Sequence, residues 1–314
     1  MHIPDNFLST PVWATLDGIA IPAVAIVSRQ AQRATESNRL PLLGVMGAFV
    51  FAAQMINFPV GLGTSGHLVG GTLLACVLGP WAAALVITAI LIVQALIFQD
   101  GGVLALGANV INMALIGVVF GYLPARALSR TKWKGVGVFL GGTCSVLVSG
   151  VLALSELLLS GIRMSSPLVA VSLGLFAVNA VLEGGITVSV LGAMERLDPS
   201  AARGLISDRK GTGNARLLWP KLVVSAGLAA VTLAGLGIMV ASTLPDGVQH
   251  LGQKIGLPLA APPTLHSPLR DYNIQALGSN WISRAGAGLI GLVLVYLICA
   301  LGSHLLGRTR RSYS

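Results

Sequence analysis

Nine apolar stretches, most of them long and nearly free of charge, constrain this chain more than anything else in it. They run at about 10–27, 40–58, 67–79, 81–98, 105–125, 136–160, 167–194, 219–243 and 283–306. Inside lipid every backbone N–H and C=O needs an internal partner, which leaves helices and closed barrels as spanning structures. Apolar runs of this length, without strict alternation, make helices. Only 10% of the 314 residues are charged, against roughly 25% in a soluble domain. The chain reads as an all-α polytopic membrane protein. The third stretch is too short to span upright, and Gly70 and Gly71 follow His67 early in it. It is expected to be a packed helix whose first turn starts inside the membrane, shielded by protein.

The net charge of +9 points to loops rather than to nucleic acid, because basic residues in membrane proteins mark the cytoplasmic side. With the N-terminus outside, the cytoplasmic loops hold Arg29, Arg33 and Arg39; Arg126, Arg130, Lys132 and Lys134; Arg196, Arg203, Arg209, Lys210, Arg216 and Lys221; and Arg308, Arg310 and Arg311. Those sixteen leave Arg163, Lys254, Arg270 and Arg284 outside. The bias requires an odd number of spans and a cytoplasmic C-terminus. Trp13, Trp81, Trp133, Trp219 and Trp281 sit near expected helix ends, as an interfacial belt does. A polar, basic segment follows the seventh stretch, and residues 244–282 form a Pro-rich exterior loop. The expected organisation is a seven-helix unit over 1–200, a cytoplasmic linker over 201–218 and a two-helix hairpin over 219–314. Cys76, Cys144 and Cys299 all lie in apolar runs with no metal-site or disulfide spacing.

Polar residues inside the spans are gathered rather than scattered. Gln54 and Asn57 end the second stretch on its outer side, Gln94 ends the fourth, and Asn109 and Asn112 begin the fifth. His67 follows the glycine-rich run Gly61-Leu62-Gly63-Thr64-Ser65-Gly66. Single intramembrane amides often bridge helices. Five amides and a histidine at one depth point instead to a shared site.

The start Met1-His2-Ile3-Pro4-Asp5 supplies the rest of that site. A free amine, the His2 backbone nitrogen and the His2 imidazole can close two fused chelate rings on one ion. Three nitrogens thus come from two residues. A fourth, for which His67 is the best candidate, completes a planar set suited to Ni(II) or Cu(II). The start lacks a basic n-region and a cleavage site, so the N-terminus is expected to survive, and His2 is too bulky to favour removal of Met1. Gln54, Asn57, Ser65, Gln94, Asn109 and Asn112 would stand behind the ligands, their carbonyls orienting imidazole N–H groups without adding charge. Asp17, Glu156 and Glu183 also lie in helices. Asp17 and Glu183 fall near mid-membrane, away from the outer cluster, and read as packing links, with a proton or ion path as the alternative.

Absences narrow the function. The chain has no G-x-x-x-x-G-K-[ST] loop, no H-E-x-x-H and no G-x-S-x-G. No internal repeat is evident among the nine stretches, which counts against a self-sufficient secondary transporter.

These residues carry a family resemblance. Met1-His2-Ile3-Pro4-Asp5-Asn6-Phe7-Leu8-Ser9 resembles the start of the substrate-binding (S) subunit of cobalt/nickel energy-coupling-factor transporters. Gly63-Thr64-Ser65-Gly66-His67-Leu68-Val69-Gly70-Gly71, Gly79-Pro80-Trp81 through Gln94-Ala95-Leu96, and Gly107-Ala108-Asn109-Val110-Ile111-Asn112-Met113 resemble that family's further motifs, over roughly residues 1–200. Residues 219–306, with Pro245-Asp246-Gly247, are similar to the small two-helix accessory subunit of the same transporters, here fused. Asn6 stands where the family often has Gly, and Val248-Gln249 where the accessory motif reads Leu-Glu.

The resemblance implies a non-catalytic subunit that binds Ni(II) or Co(II) as transported substrate through Met1, His2 and His67. It also implies a transmembrane coupling subunit and a pair of cytoplasmic ATPases as partners, in the plasma membrane of a prokaryote. A planar nitrogen set with an ionised amide favours nickel over cobalt. A stand-alone ion-coupled transporter using Asp17 or Glu183 is the alternative. An intramembrane metalloenzyme ranks last, because four protein nitrogens leave little room for an activated water.

Overall fold

The computed structural model describes residues 1–34, 40–197, 220–257 and 267–311. Arg39, the basic linker 201–218 with Arg203, Arg209, Lys210 and Arg216, and Trp219 lie outside the described residues. So do the side chains of His304, Arg308, Arg310 and Arg311.

The chain is mostly helical: α1 (Thr10–Ala34), α2 (Leu40–Gln54), α3 (Gly71–Leu78), α4 (Pro80–Val93), α5 (Leu106–Asn109), α6 (Gly117–Leu128), α7 (Lys134–Leu159), α8 (Ser166–Leu197), α9 (Pro220–Leu236), α10 (Gly247–Lys254) and α11 (Trp281–Arg311). Among the described residues, six helical segments are long and apolar enough to cross a membrane: Thr10–Ala34, Pro80–Phe98, Leu106–Leu128, Lys134–Leu159, Ser166–Leu197 and Trp281–Gly302. Pro41–Gln54 and Lys221–Leu236 are apolar but shorter. Exposed Ile19, Ile21 and Ile26 on α1, and Leu228 and Val231 on α9, give the outer surface the apolar character that a lipid environment requires.

The expected all-α fold needs one correction. Residues 58–66 form a small antiparallel hairpin, β1 (Phe58–Gly61) and β2 (Thr64–Gly66). The helix expected from residue 67 starts at Gly71, so His67 lies in the irregular segment between β2 and α3 and not on a helix. The reason is local. Gly70 has φ 76°, outside helical space, and the N–H groups of Val69 and Gly70 donate to the Glu183 carboxylate at 2.7 and 2.8 Å. Residues 71–77 of α3 are all buried, as expected of a short helix enclosed by protein.

Two helices change pitch where they carry polar side chains. α4 passes into a π turn at Gln94–Phe98, and α5 reaches α6 through a π segment at Val110–Ile116 that contains Asn112. Such insertions widen a helix locally and recur at functional sites. In the first, Asp100 N–H donates back to the Gln94 carbonyl at 3.0 Å, which turns the chain inward after the helix.

α2 packs against both α9 and α11, and α7 packs against α6 and α8. The close approaches use small residues, as membrane helices do. A Cβ on Gly291 would stand 2.4 Å from the Phe51 ring. The segment expected as an exterior loop carries α10, capped by Asp246, whose carboxylate Oδ1 accepts the Gln249 N–H at 2.7 Å.

Candidate metal centre

The N-terminal segment is threaded into the protein. Met1, His2 and Ile3 are 5%, 2% and 0% exposed. Asn109 clamps the segment from both sides, accepting the Ile3 N–H at 2.9 Å and donating to the Ile3 carbonyl at 3.1 Å. Gly102 N–H donates to that same carbonyl at 2.8 Å. The loop after α4 crosses this segment so closely that a Cβ on Gly102 would lie 2.6 Å from the Asp5 nitrogen. Phe7 fills the space beside Gly252 of α10, where a Cβ would meet its ring at 2.2 Å. Burying the first three residues of a chain orders a segment that is normally frayed, and these contacts supply the compensation.

That threading delivers the donors to one place. The Met1 amine lies 3.1 Å from Nε2 of His67 and 2.7 Å from Oδ2 of Asp246. His67 Nδ1 lies 2.9 Å from the Leu68 carbonyl. A carbonyl only accepts, so Nδ1 carries the proton and the Nε2 lone pair faces the amine. The His2 ring stacks on that of His67 with centroids 5.2 Å apart and planes 9° from parallel. His2, His67 and Asp246 each bring one ligand atom within 4.8 Å of the others. Burial, then the adjacent N-terminal positive charge, lowers both imidazoles to about 3, so each stays neutral and able to bind metal. Burial opposes ionisation of Asp246 most strongly, but the Met1 ammonium, the hydrogen bonds from Gln249 N–H and the Met1 amine, and nearby His2 together hold the carboxyl below its ordinary range.

The amides expected behind the ligands divide. Gln54 donates to the Val69 carbonyl at 2.8 Å and accepts from Gln94 Nε2 at 2.8 Å, while Gln94 faces the His2 ring. Asn109 holds the N-terminal segment, as described. Ser65 acts through the other end of the chain: its N–H donates to the Pro245 carbonyl and its hydroxyl to the Leu244 carbonyl, at 2.8 and 2.7 Å. Asn112 donates to Glu156 at 2.8 Å, which ties α7 to the π segment rather than orienting a ligand. Asn57 offers its backbone carbonyl to Ser242 N–H at 2.8 Å. Asn57 stands after the end of α2, directly before Phe58, which pairs with Gly66 in the hairpin. Asp17 is a packing link, accepting the Gly107 N–H at 2.7 Å. Glu183 is also a link, but not one away from the cluster, since it anchors the two residues that follow Leu68.

Sequence reasoning missed Asp100 and Tyr272. Asp100 Oδ1 lies 3.5 Å from His2 Nδ1, and its Oδ2 accepts the Tyr272 hydroxyl at 2.7 Å. Tyr272 stacks on Phe98 at 4.5 Å. The available signal was a carboxylate in Gln99-Asp100-Gly101-Gly102, directly after an apolar helix and followed by two glycines.

A buried amine, two neutral imidazoles and a carboxylate gathered this closely could hold a borderline divalent ion, imidazole nitrogens suiting Zn, Cu, Fe or Ni. The sequence profile of the family described as "Cobalt uptake substrate-specific transmembrane region" matches residues 2–201. A protein of Archaeoglobus fulgidus that carries the name of a fused nickel transport protein, NikMN, is 29% identical over 96% of this chain and 97% of its own length. The fused nickel transport protein NikMN of Rhodobacter capsulatus is 33% identical over 55% of this chain, which spans about half (47%) of that relative. Among solved structures, a transition metal transporter superposes with a TM-score of 0.57 at 31% identity, covering 67% of this chain and 100% of that one.

Proposed function

We propose a function from one premise: this chain belongs to the family of cobalt-uptake substrate-specific transmembrane regions. It is a multi-pass membrane protein of a nickel and cobalt transport family. Its role is to capture Ni(II), in preference to Co(II), from outside the cell and to hand it on for ATP-driven uptake. The observation that carries this reading is the meeting of the Met1 amine with His67 Nε2 at 3.1 Å, beside the stacked ring of His2.

The ligands are the Met1 amine, the His2 amide and imidazole, and the His67 imidazole. Coordination expels protons from the amine and the amide and seats the N-terminal segment over His67. An ionised amide in a nitrogen set favours nickel, and nitrogen sites in general hold Ni(II) more tightly than Co(II). Residues 1–200 form the seven-helix capture unit, 201–218 a cytoplasmic linker, and 219–314 a two-helix hairpin whose outer segment reaches the site. The N-terminus lies outside and the C-terminus in the cytoplasm, following the basic residues. With no phosphate loop of its own, the chain takes its energy from a pair of cytoplasmic ATPases acting through a transmembrane coupling subunit.

The test is equilibrium nickel and cobalt binding to the purified full-length protein, with the Met1 amine free or acetylated. The free amine should bind nickel tightly and the acetylated form should lose most of that affinity. Equal affinity in the two forms would refute the chelate.

A further inference from the structure

We infer that Asp246, carried by the C-terminal outer segment, is a fifth donor to the transported ion, so that the loaded site is four nitrogens and one carboxylate oxygen. This rests on the capture site proposed above and deepens it.

Asp246 is 8% exposed, and its two carboxylate oxygens have separate partners. Oδ1 accepts the Gln249 N–H and caps α10; Oδ2 lies on the Met1 amine at 2.7 Å. Two donors at right angles on one ion, each roughly 2.0–2.1 Å from it, stand about 2.9 Å apart. The separations of Oδ2 from the amine, 2.7 Å, and of the amine from His67 Nε2, 3.1 Å, bracket that spacing. Three atoms therefore already sit at the edge lengths of one coordination shell.

Charge decides whether Asp246 stays when the ion arrives. In the metal-free site its anion is paired with the Met1 ammonium. Binding of a dication releases one proton from the ammonium and one from the His2 amide, both to solvent. The amine then carries no charge to hold Asp246. A buried carboxylate stripped of its cation is strongly disfavoured. The ion sits where the positive charge was, and its two charges are balanced by the ionised amide and Asp246 together.

The backbone fixes Asp246 for this role. Residues 244 and 245 are held by Ser65, two residues before His67. α10 is seated by buried Val248 and Leu251, with Gly247 against the Phe176 ring of α8. One short strand thus positions a ligand from each end of the chain. A fifth oxygen donor also suits Co(II), which is less committed to a plane, so Asp246 narrows the nickel-over-cobalt preference.

Nickel K-edge X-ray absorption and equilibrium binding on the full-length protein with a free Met1 amine test this. Asp246→Asn keeps the helix cap and removes the charge; Asp246→Ser is a second variant that also keeps the cap. Wild type should show five light donors and lack the sharp edge feature of planar four-coordinate nickel. Both variants should gain that feature, bind nickel at least about tenfold more weakly, a loss at the lower end of that seen when groups supporting a metal site are removed, and show a larger nickel-to-cobalt affinity ratio. A planar wild-type spectrum, unchanged in the variants, would overturn the inference while leaving the capture site standing. Wild type that binds no nickel would bring down both. If neither variant folds, the wild-type spectrum alone decides.

Discussion

The imidazoles of His2 and His67 lie face to face, 5.2 Å between centroids and 9° from parallel, although 64 residues separate them in the chain. Both rings rely on supports far away in sequence. His2 depends on the Asn109 clamp at Ile3, and His67 on the Glu183 carboxylate at Val69 and Gly70. The centre is therefore as sensitive to its supports as to its ligands.

His2→Ala and His67→Ala each remove a donor from the proposed set. Nickel affinity should fall by more than the roughly 10–100-fold that loss of a supporting partner costs a metal site. Isothermal titration with purified variants measures this. Retention of wild-type affinity by His67→Ala would rule that ring out as a ligand.

Asn109→Ala leaves all donors in place and frees the N-terminal segment from its two hydrogen bonds. Nickel affinity should drop by about 10–100-fold, with the absorption spectrum of the bound metal unchanged. A changed spectrum would mean that Asn109 does more than hold Ile3.

Glu183→Gln keeps the shape but leaves one of two buried N–H groups without its acceptor. It should cost about 1–3 kcal/mol of stability in a thermal or denaturant melt, and weaken nickel binding through the displaced His67. Gly70→Ala should destabilise to a comparable degree, because φ 76° strains any Cβ and the methyl would lie 2.5 Å from Val50 Cγ1. Val50→Ala should recover the steric part of that loss and not the backbone part.

Nickel affinity should rise with pH. Coordination releases protons from the amine and the amide, so acid competes with the metal. The imidazoles, lowered to about 3 by burial and then the N-terminal charge, hold no proton between pH 6 and 8 and do not contribute to the slope. Titrations at pH 6, 7 and 8 should show about tenfold per unit for each proton released. A pH-independent affinity would contradict proton release.

In liposomes containing only this chain, a proton gradient should drive no nickel accumulation. Asp17 and Glu183 are both occupied by backbone N–H groups, which suits links rather than a path. Accumulation abolished by Asp17→Asn would revive the ion-coupled alternative.

Much of this was legible in the sequence, for identifiable reasons. Lipid forces long apolar runs to become helices, so the helices appeared at nearly their observed places, and Gln54, Gln94, Asn109 and His67 stood out because intramembrane polarity is costly. Met1 and His2 drew notice through chelate chemistry, which depends only on adjacency. Tertiary structure decided what adjacency and periodicity do not encode. The Glu183 hydrogen bonds and the left-handed Gly70 hold His67 off the helix expected there. Asn112 points to Glu156 rather than to the ligands, since shared depth does not fix direction around a helix. Asp100, Tyr272 and Asp246 reach the centre because loops at the ends of different helices meet there, and loop encounters leave no period in the sequence.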